Sequence, residues 1–156
     1  MKLGYISLIR NPTNDGYYMP HHAVIKESSN TTKLRVVFDA SAKTNEGISL
    51  NDVLMTGPTI QDKLFVHLIR FRTYNYALTA DIEKMYCQVW LHEDDRQYQK
   101  ILWRVDENIE TFQFNTLAFG ISSSPFLAIR VVQKLADDER HTYPRAAEIL
   151  QKHLYG

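Results

Sequence analysis

One stretch of the chain combines residue types that could carry out metal-dependent chemistry. In segment 78–86, Asp81 directly follows the apolar or small residues 76–80, which are predicted to form a buried strand. A carboxylate at the end of a buried strand is costly to desolvate unless a metal ion or a hydrogen-bond partner compensates for it. The pattern therefore favours a metal-binding Asp81 followed by an aromatic Tyr86. A solvated aspartate and a core tyrosine would account for the same residues.

Composition indicates an ordinary globular chain. Its 156 residues suffice for one domain, and 44% hydrophobic with 23% charged residues is typical of soluble globular proteins. The net charge is zero, but residues 1–79 carry 9 Lys/Arg against 6 Asp/Glu, and residues 80–156 carry 9 against 12. This asymmetry fits a phosphate-binding front half and a metal-binding back half, and it equally fits chance.

Cysteine content and hydropathy bear on the compartment. The single cysteine, Cys87, excludes an internal disulfide and a zinc site built from cysteine pairs, and it is at home in a reducing compartment. No stretch approaches the length of a membrane span, and the first ten residues do not have the pattern of a signal peptide. We therefore expect an intracellular protein without a membrane partner.

Two antiparallel hairpins are predicted. Residues 23–26 and 33–38 form the first, across a polar connection at 27–32, and residues 100–105 and 111–115 form the second. The first hairpin carries three cations, Lys26, Lys33 and Arg35. Lysine on an edge strand suppresses aggregation, whereas a guanidinium group is well shaped for phosphate. The cations are therefore either a solubilising edge or a phosphate clamp.

Helix signals account for most of the remaining chain. A short helical turn is predicted over 49–54, and a longer helix is predicted to follow a Thr59 cap, with apolar residues at spacings of four and three. Ser124 before Pro125 is a strong helix start, and a last helix is predicted over 143–154. Serines 122–124 lack the surroundings of a hydrolase nucleophile, so we discount that chemistry.

Taken in order, the motifs of this chain resemble the reverse transcriptase of BEL/Pao-type LTR retrotransposons. Each motif alone is weak, but their order and spacing over nearly all residues from Gly16 to Tyr155 are specific. The residues that carry the resemblance are Gly16-Tyr17-Tyr18-Met19-Pro20-His21-His22-Ala23-Val24, Lys33-Leu34-Arg35-Val36-Val37-Phe38-Asp39-Ala40-Ser41, Ser49-Leu50-Asn51-Asp52, Gly57-Pro58, Thr79-Ala80-Asp81-Ile82-Glu83-Lys84-Met85-Tyr86, Leu102-Trp103-Arg104 and Phe119-Gly120-Ile121-Ser122-Ser123-Ser124-Pro125.

The resemblance implies an α+β fold, part of the right-hand polymerase fold, with fingers hairpins and an incomplete palm of antiparallel sheet packed on helices. Residues 1–156 would be one reverse-transcriptase fragment, fingers-like over about 17–58 and 92–115 and palm-like over about 59–91 and 116–156. The family's motif C, Tyr-x-Asp-Asp, would begin at Leu154-Tyr155-Gly156. Since neither of its aspartates is among these residues, we expect no activity from them alone.

The resemblance also implies a metal site. Asp81 takes the place of the catalytic motif A aspartate that holds divalent metal, and the backbone carbonyl of Ile82 could add a ligand. Two Mg²⁺ ions, or Mn²⁺, would suit in-line phosphoryl transfer, because the attacking and leaving oxygens both need their charge neutralised.

The nucleotide-binding residues implied by the resemblance lie on both sides of this site. Arg35 and Lys26 would contact the triphosphate of the incoming nucleotide. Tyr86 matches the aromatic residue that closes the sugar pocket against a 2′-hydroxyl. Phe119 precedes the motif B glycine, Gly120, which would let the backbone approach nucleotide and template closely. Phe119 stands where retroviral enzymes usually carry glutamine, a departure that fits the retrotransposon branch.

The function implied is part of an RNA-directed DNA polymerase. Its partners would be an RNA or DNA template-primer, deoxynucleoside triphosphates (dNTPs) and the remainder of a retrotransposon polyprotein. A different class is a host-retained, non-catalytic module of the same fold that binds nucleic acid or protein. A third interpretation is an unrelated α+β domain with a solvated Asp81.

Overall fold

A computed structural model describes residues 4–13, 15–28 and 33–155. The chain forms two compact units. The first contains the described residues up to Met55 together with Tyr86–Ser124, and the second contains Thr56–Met85 together with the described residues from Pro125 onward. The strands are β1 (Ile6–Ile9), β2 (His21–Ile25), β3 (Leu34–Phe38), β4 (Lys100–Val105) and β5 (Asn108–Phe114). The α-helices are α1 (Leu50–Val53), α2 (Leu64–Arg72), α3 (Ser124–Asp138) and α4 (Pro144–His153).

All five strands lie in the first unit and pair antiparallel. One sheet has the order β1-β5-β4, and β2 pairs with β3 in the other. Both predicted hairpins are thereby confirmed, although residues 29–32 of the first connection lie outside the described residues. The bounds of β4 are as predicted, while β5 begins three residues earlier because a tight turn at Asp106, with φ 54°, joins the strands. Strand β1 was not predicted, since four residues beside a loop give little periodic signal.

The core of the first unit lies between its sheets and α1. Eight buried residues form one cluster, and the Phe38 and Phe114 rings meet edge to face with centroids 4.9 Å apart. A capping box between Ser49 and Asp52 confirms the predicted helical turn, which becomes α1. The clustered residues are Met19, Ala40, Leu50, Ile101, Phe112, Phe114, Ala118 and Ile121.

The described residues of the second unit form helices and extended segments without strands. Helix α2 begins at Leu64 after Lys63, so the predicted start at a Thr59 cap is wrong. The reason is tertiary: the carbonyl of Ile60 accepts a hydrogen bond from Gln133 Nε2 at 2.9 Å instead of serving a helix. The predicted last helix is confirmed as α4. Among the described helices, none has the length and apolar character needed to cross a membrane.

The predicted strand over residues 76–80 is wrong. These residues form no strand in the structure, and they are exposed, with Tyr76 at 92% and Leu78 at 97% of full exposure. β-Forming residues make a strand only when a neighbouring strand pairs with their backbone groups, and no described strand pairs with this segment. The sheet expected over 59–91 and 116–156 is likewise missing from the described residues of those ranges, apart from an isolated bridge between Trp90 and Thr116.

Candidate functional site

The β2–β3 hairpin presents its cations on one face. In the register of the hairpin, Arg35 lies opposite Val24, and the amide of Lys26 donates to the carbonyl of Lys33 at 2.8 Å. Since alternate residues of a strand share a face, Lys26, Lys33 and Arg35 all project from the same side. All three side chains are exposed. The two predicted triphosphate contacts, Arg35 and Lys26, are therefore brought together on one surface.

The other face of the hairpin is anchored. His21 stacks on Trp103 with ring centroids 5.3 Å apart, and Phe38 packs against Phe114. An apolar cavity of about 190 Å³ lies beside these contacts. Its lining is Ile6, Val36, Phe38, Ile101, Trp103 and Phe112. The hairpin is thus held by apolar contacts on one face and leaves its cationic face to solvent.

Two predicted nucleotide-binding residues form an aromatic pair. The rings of Tyr86 and Phe119 have centroids 4.7 Å apart and planes inclined at 40°. Tyr86 lies in a 3₁₀ turn over Met85–Gln88, half-buried, and burial raises the pKa of its hydroxyl, which therefore stays protonated near neutral pH. Phe119 is 58% exposed, so one side of the pair faces solvent. The pair forms an aromatic wall, one side of which is accessible to solvent.

Gly120 makes a close backbone contact. Its φ is +86°, and a Cβ placed on it would lie 2.1 Å from the carbonyl oxygen of Phe38. Glycine is required here on both counts, because a side chain would be strained and would collide with β3. The resemblance implied that glycine is needed here so that the backbone can approach a nucleotide and the template. The structure shows a neighbour within the chain itself, the end of the cationic hairpin.

Asn51 is a site residue that sequence reasoning missed. Its Nδ2 donates to Ser41 Oγ at 2.9 Å and to the Gly120 carbonyl at 3.0 Å, and its Oδ1 accepts from the amide of Ser122 at 2.8 Å. It follows the capping serine Ser49, whose box with Asp52 marks the start of α1. The sequence predicted the helical turn that contains Asn51, but not its hydrogen bonds to residues about seventy positions away.

Asp81 and Ile82 lie in the second unit, in an exposed segment without regular structure. Near them, Glu83 and Lys84 form an ion pair at 3.5 Å, and Lys84 has a φ of 51°. The described residues contain no group of three or more His, Cys, Asp or Glu side chains placed to hold a metal ion. The two predicted ligands, Asp81 and the carbonyl of Ile82, are therefore one carboxylate and one backbone carbonyl, which is part of an oxygen ligand set and not a complete one.

A separate polar cavity of about 360 Å³ lies among the helices of the second unit. His67 lines it, with Nε2 buried and unpaired among the described atoms, and Gln133 lines it from α3. None of the predicted site residues contributes to this lining. The cavity is therefore not part of the candidate site.

Comparison with known proteins gives one family. The family model described as reverse transcriptase (RNA-dependent DNA polymerase) matches residues 24–155. This range contains β2 from Val24 onward and every other strand and helix except β1, and it contains all seven predicted site residues. The search of curated proteins finds no match.

Proposed function

Because this chain belongs to the reverse transcriptase (RNA-dependent DNA polymerase) family, we propose that it is the fingers-and-palm part of an RNA-directed DNA polymerase from a BEL/Pao-type LTR retrotransposon. The family match over residues 24–155 carries the polymerase assignment. The order of the motifs from Gly16 to Tyr155 supports the retrotransposon type. The proposed partners are a primed RNA or DNA template, dNTPs and the remainder of the polyprotein. In this proposal residues 17–58 and 92–115 serve as fingers, and residues 59–91 and 116–156 serve as palm.

The hairpin and the aromatic wall are assigned to the incoming nucleotide. Lys26 and Arg35 share an exposed face, and a pair of cations offsets part of the negative charge of a triphosphate. Tyr86 and Phe119 present an apolar edge that tolerates a deoxyribose but crowds a 2′-hydroxyl. The close approach of Gly120 to Phe38, at the end of β3, supports the assignment of the hairpin and the aromatic wall to one site.

The metal is assigned to a ligand set of which residues 1–156 supply only a part. Enzymes of this family generally use divalent metal ions, whose charge offsets that of the reacting phosphate oxygens. We assign Asp81 and the carbonyl of Ile82 as ligands for Mg²⁺ or Mn²⁺. In the proposal, motif C aspartates following Tyr155 supply the other ligands, so the 156 residues alone bind metal poorly.

Single-nucleotide extension tests the polymerase assignment, in a protein that continues through motif C. Asp81→Asn should abolish use of both dNTPs and ribonucleotides, because it removes a metal ligand. Tyr86→Val should raise ribonucleotide use relative to dNTP use by roughly tenfold to a hundredfold, since crowding in a packed pocket costs about 1–3 kcal/mol. If Tyr86→Val lowers use of both substrates equally, the ring is only packing and the assignment to the sugar is wrong.

Binding to a primer–template duplex tests the phosphate contacts in the 156-residue chain. Affinity should fall steeply with salt, because cations that contact phosphate release counterions. Replacing both Lys26 and Arg35 by alanine should reduce the slope by about 2, that is about 1 for each cation. Arg104→Ala, at an exposed arginine of β4 in the same unit, is the matched control and should leave the slope unchanged. A flat salt response of the unmodified chain would refute the phosphate clamp.

A further inference from the structure

Asn51 connects three segments that the proposed function leaves unrelated. The side-chain amide of Asn51 forms hydrogen bonds with Ser41, which follows β3, and with Gly120 and Ser122 in the loop that carries Phe119. We propose that Asn51 is a positioning residue: it fixes loop 119–122 so that Phe119 lies against Tyr86, and it thereby sets the selection between deoxyribose and ribose. This inference rests on the proposed nucleotide role of the aromatic wall.

Ser124 holds the start of the loop, and Asn51 holds the part that follows Phe119. On one side, Ala118 is buried and its carbonyl accepts a hydrogen bond from the buried Ser124 hydroxyl at 2.7 Å. On the other side, the Ser122 amide is bonded to Asn51. Between them, the carbonyl of Gly120 is bonded to Asn51 and follows directly after Phe119. Without the amide of Asn51, the backbone on the C-terminal side of Phe119 loses both of these bonds.

Asn51 itself is held by the end of the β3 segment and by the first turn of α1. Its backbone amide donates to the carbonyl of Ala40 at 3.1 Å. The capping box around it fixes the first turn of α1, with the Ser49 amide donating to Asp52 Oδ2 at 2.9 Å. A side-chain amide is the group that both donates and accepts at this reach, whereas a carboxylate only accepts and an alanine does neither. The residue type is therefore matched to the two-way bonding that the loop requires.

The consequence for function is a separation of two effects. The cations of the β2–β3 hairpin do not depend on Asn51 for their shared face, because the strand register sets it. Loss of Asn51 should therefore leave triphosphate affinity nearly unchanged while it frees Phe119 from Tyr86. A role limited to general stability would instead lower the melting temperature without changing the preference between dATP and ATP at temperatures where the protein is folded.

The first test measures binding of dATP and ATP to a protein that continues through motif C, on a primer–template duplex whose next template base is thymine, with Mg²⁺ present. Asn51→Ala should lower the preference for dATP at least fivefold and change dATP affinity less than twofold. Asn51→Asp keeps an acceptor for the Ser122 amide but cannot donate to Gly120. Its preference for dATP should therefore lie between those of the unmodified protein and Asn51→Ala. Asn45→Ala, at an exposed asparagine between β3 and α1, should behave like the unmodified protein.

The second test reads the loop directly, by NMR contacts between the Tyr86 and Phe119 rings and by hydrogen exchange of the Ser122 amide. Asn51→Ala should weaken the ring contact and accelerate exchange at Ser122. If the unmodified chain binds dATP and ATP equally but Asn51→Ala still loses the ring contact, the sugar assignment fails while the positioning role stands. Unchanged ring contact and unchanged Ser122 exchange in both Asn51 variants would overturn the positioning role.

Discussion

The two units of this chain differ in how their apolar residues are used. The first unit buries large side chains such as Phe112 and Phe114 between paired strands. In the second unit the described buried hydrophobic residues are Ala128, Ile129, Ala136 and Ala147, and α2 buries none of its residues. Helix α2 instead exposes Leu64, Phe65, Leu68, Ile69 and Phe71. Stability from apolar burial is therefore concentrated in the first unit.

This difference extends to the candidate site. Residues of the first unit that the resemblance assigns to the nucleotide have partners far away in the sequence, as Tyr86 has in Phe119 and Gly120 has in Phe38. Asp81 of the second unit lies in an exposed segment without regular structure. Long-range contacts thus hold Tyr86, Phe119 and Gly120, whereas Asp81, the proposed metal ligand, lies in a segment without regular structure.

Identical substitutions in the two units should have very different costs. Phe112→Ala, at a side chain 4% exposed, should lower the free energy of unfolding by about 3–5 kcal/mol, because it leaves a cavity in the core. Phe65→Ala, at a side chain 70% exposed, should change it by less than about 0.5 kcal/mol. Denaturant unfolding followed by far-UV circular dichroism checks both. Equal losses in the free energy of unfolding would mean that the two side chains are equally well packed.

Glycine substitutions separate close approach from backbone strain within the first unit. Gly120→Ala should cost about 2–4 kcal/mol, since it adds a collision with the Phe38 carbonyl to the strain of a positive φ. Gly47→Ala is the control, with φ +78° and no atom within 4 Å of the added Cβ, and should cost about 1–2 kcal/mol. Fluorescence of Trp90 and Trp103, both in the first unit, reports the unfolding. A cost for Gly120→Ala no larger than the control would remove the close contact.

The exposed residues 76–80 of the second unit should cause self-association. Leu78→Lys should weaken association about tenfold, because burial of one leucine contributes about 1.5–3 kcal/mol and a neighbouring chain covers it only in part. Met55→Lys, at a residue 93% exposed in the first unit, should have little effect. Sedimentation at several concentrations measures the change. A monomeric chain with one cooperative thermal transition would contradict the expectation.

Acid sensitivity should contain a small contribution from α1. Hydrogen bonds from the backbone and hydroxyl of Ser49 hold the pKa of Asp52 below its ordinary value of 3.8. A carboxyl whose pKa is lowered by folding stabilises the protein at pH values above its ordinary pKa. This contribution is lost as the pH falls through the lower pKa of the folded state. Asp52→Asn should therefore flatten the decline of melting temperature below pH 4, relative to Glu46→Gln. An unchanged decline would show that the capping box does not contribute.

Local signals predicted the local elements. Residues 100–105 were predicted as a strand and form β4 with the same bounds, and the predicted helical turn over 49–54 contains α1. The proline near its start likewise predicted α4, and the sequence predicted the β2–β3 hairpin with its three cations. In each case the pattern that forms the element lies within a few residues of it, so the sequence alone carries the information.

Tertiary structure decided the features that depend on distant partners. Strand β1 exists because β5 pairs with it, and residues 76–80 remain without a strand because no described strand pairs with them. The later start of α2 reflects a bond between Ile60 and Gln133. The sequence by itself determined the family motifs and the local elements. Only the folded chain revealed Asn51 as the link to loop 119–122, because a hydrogen bond between distant segments leaves no periodic trace in either one.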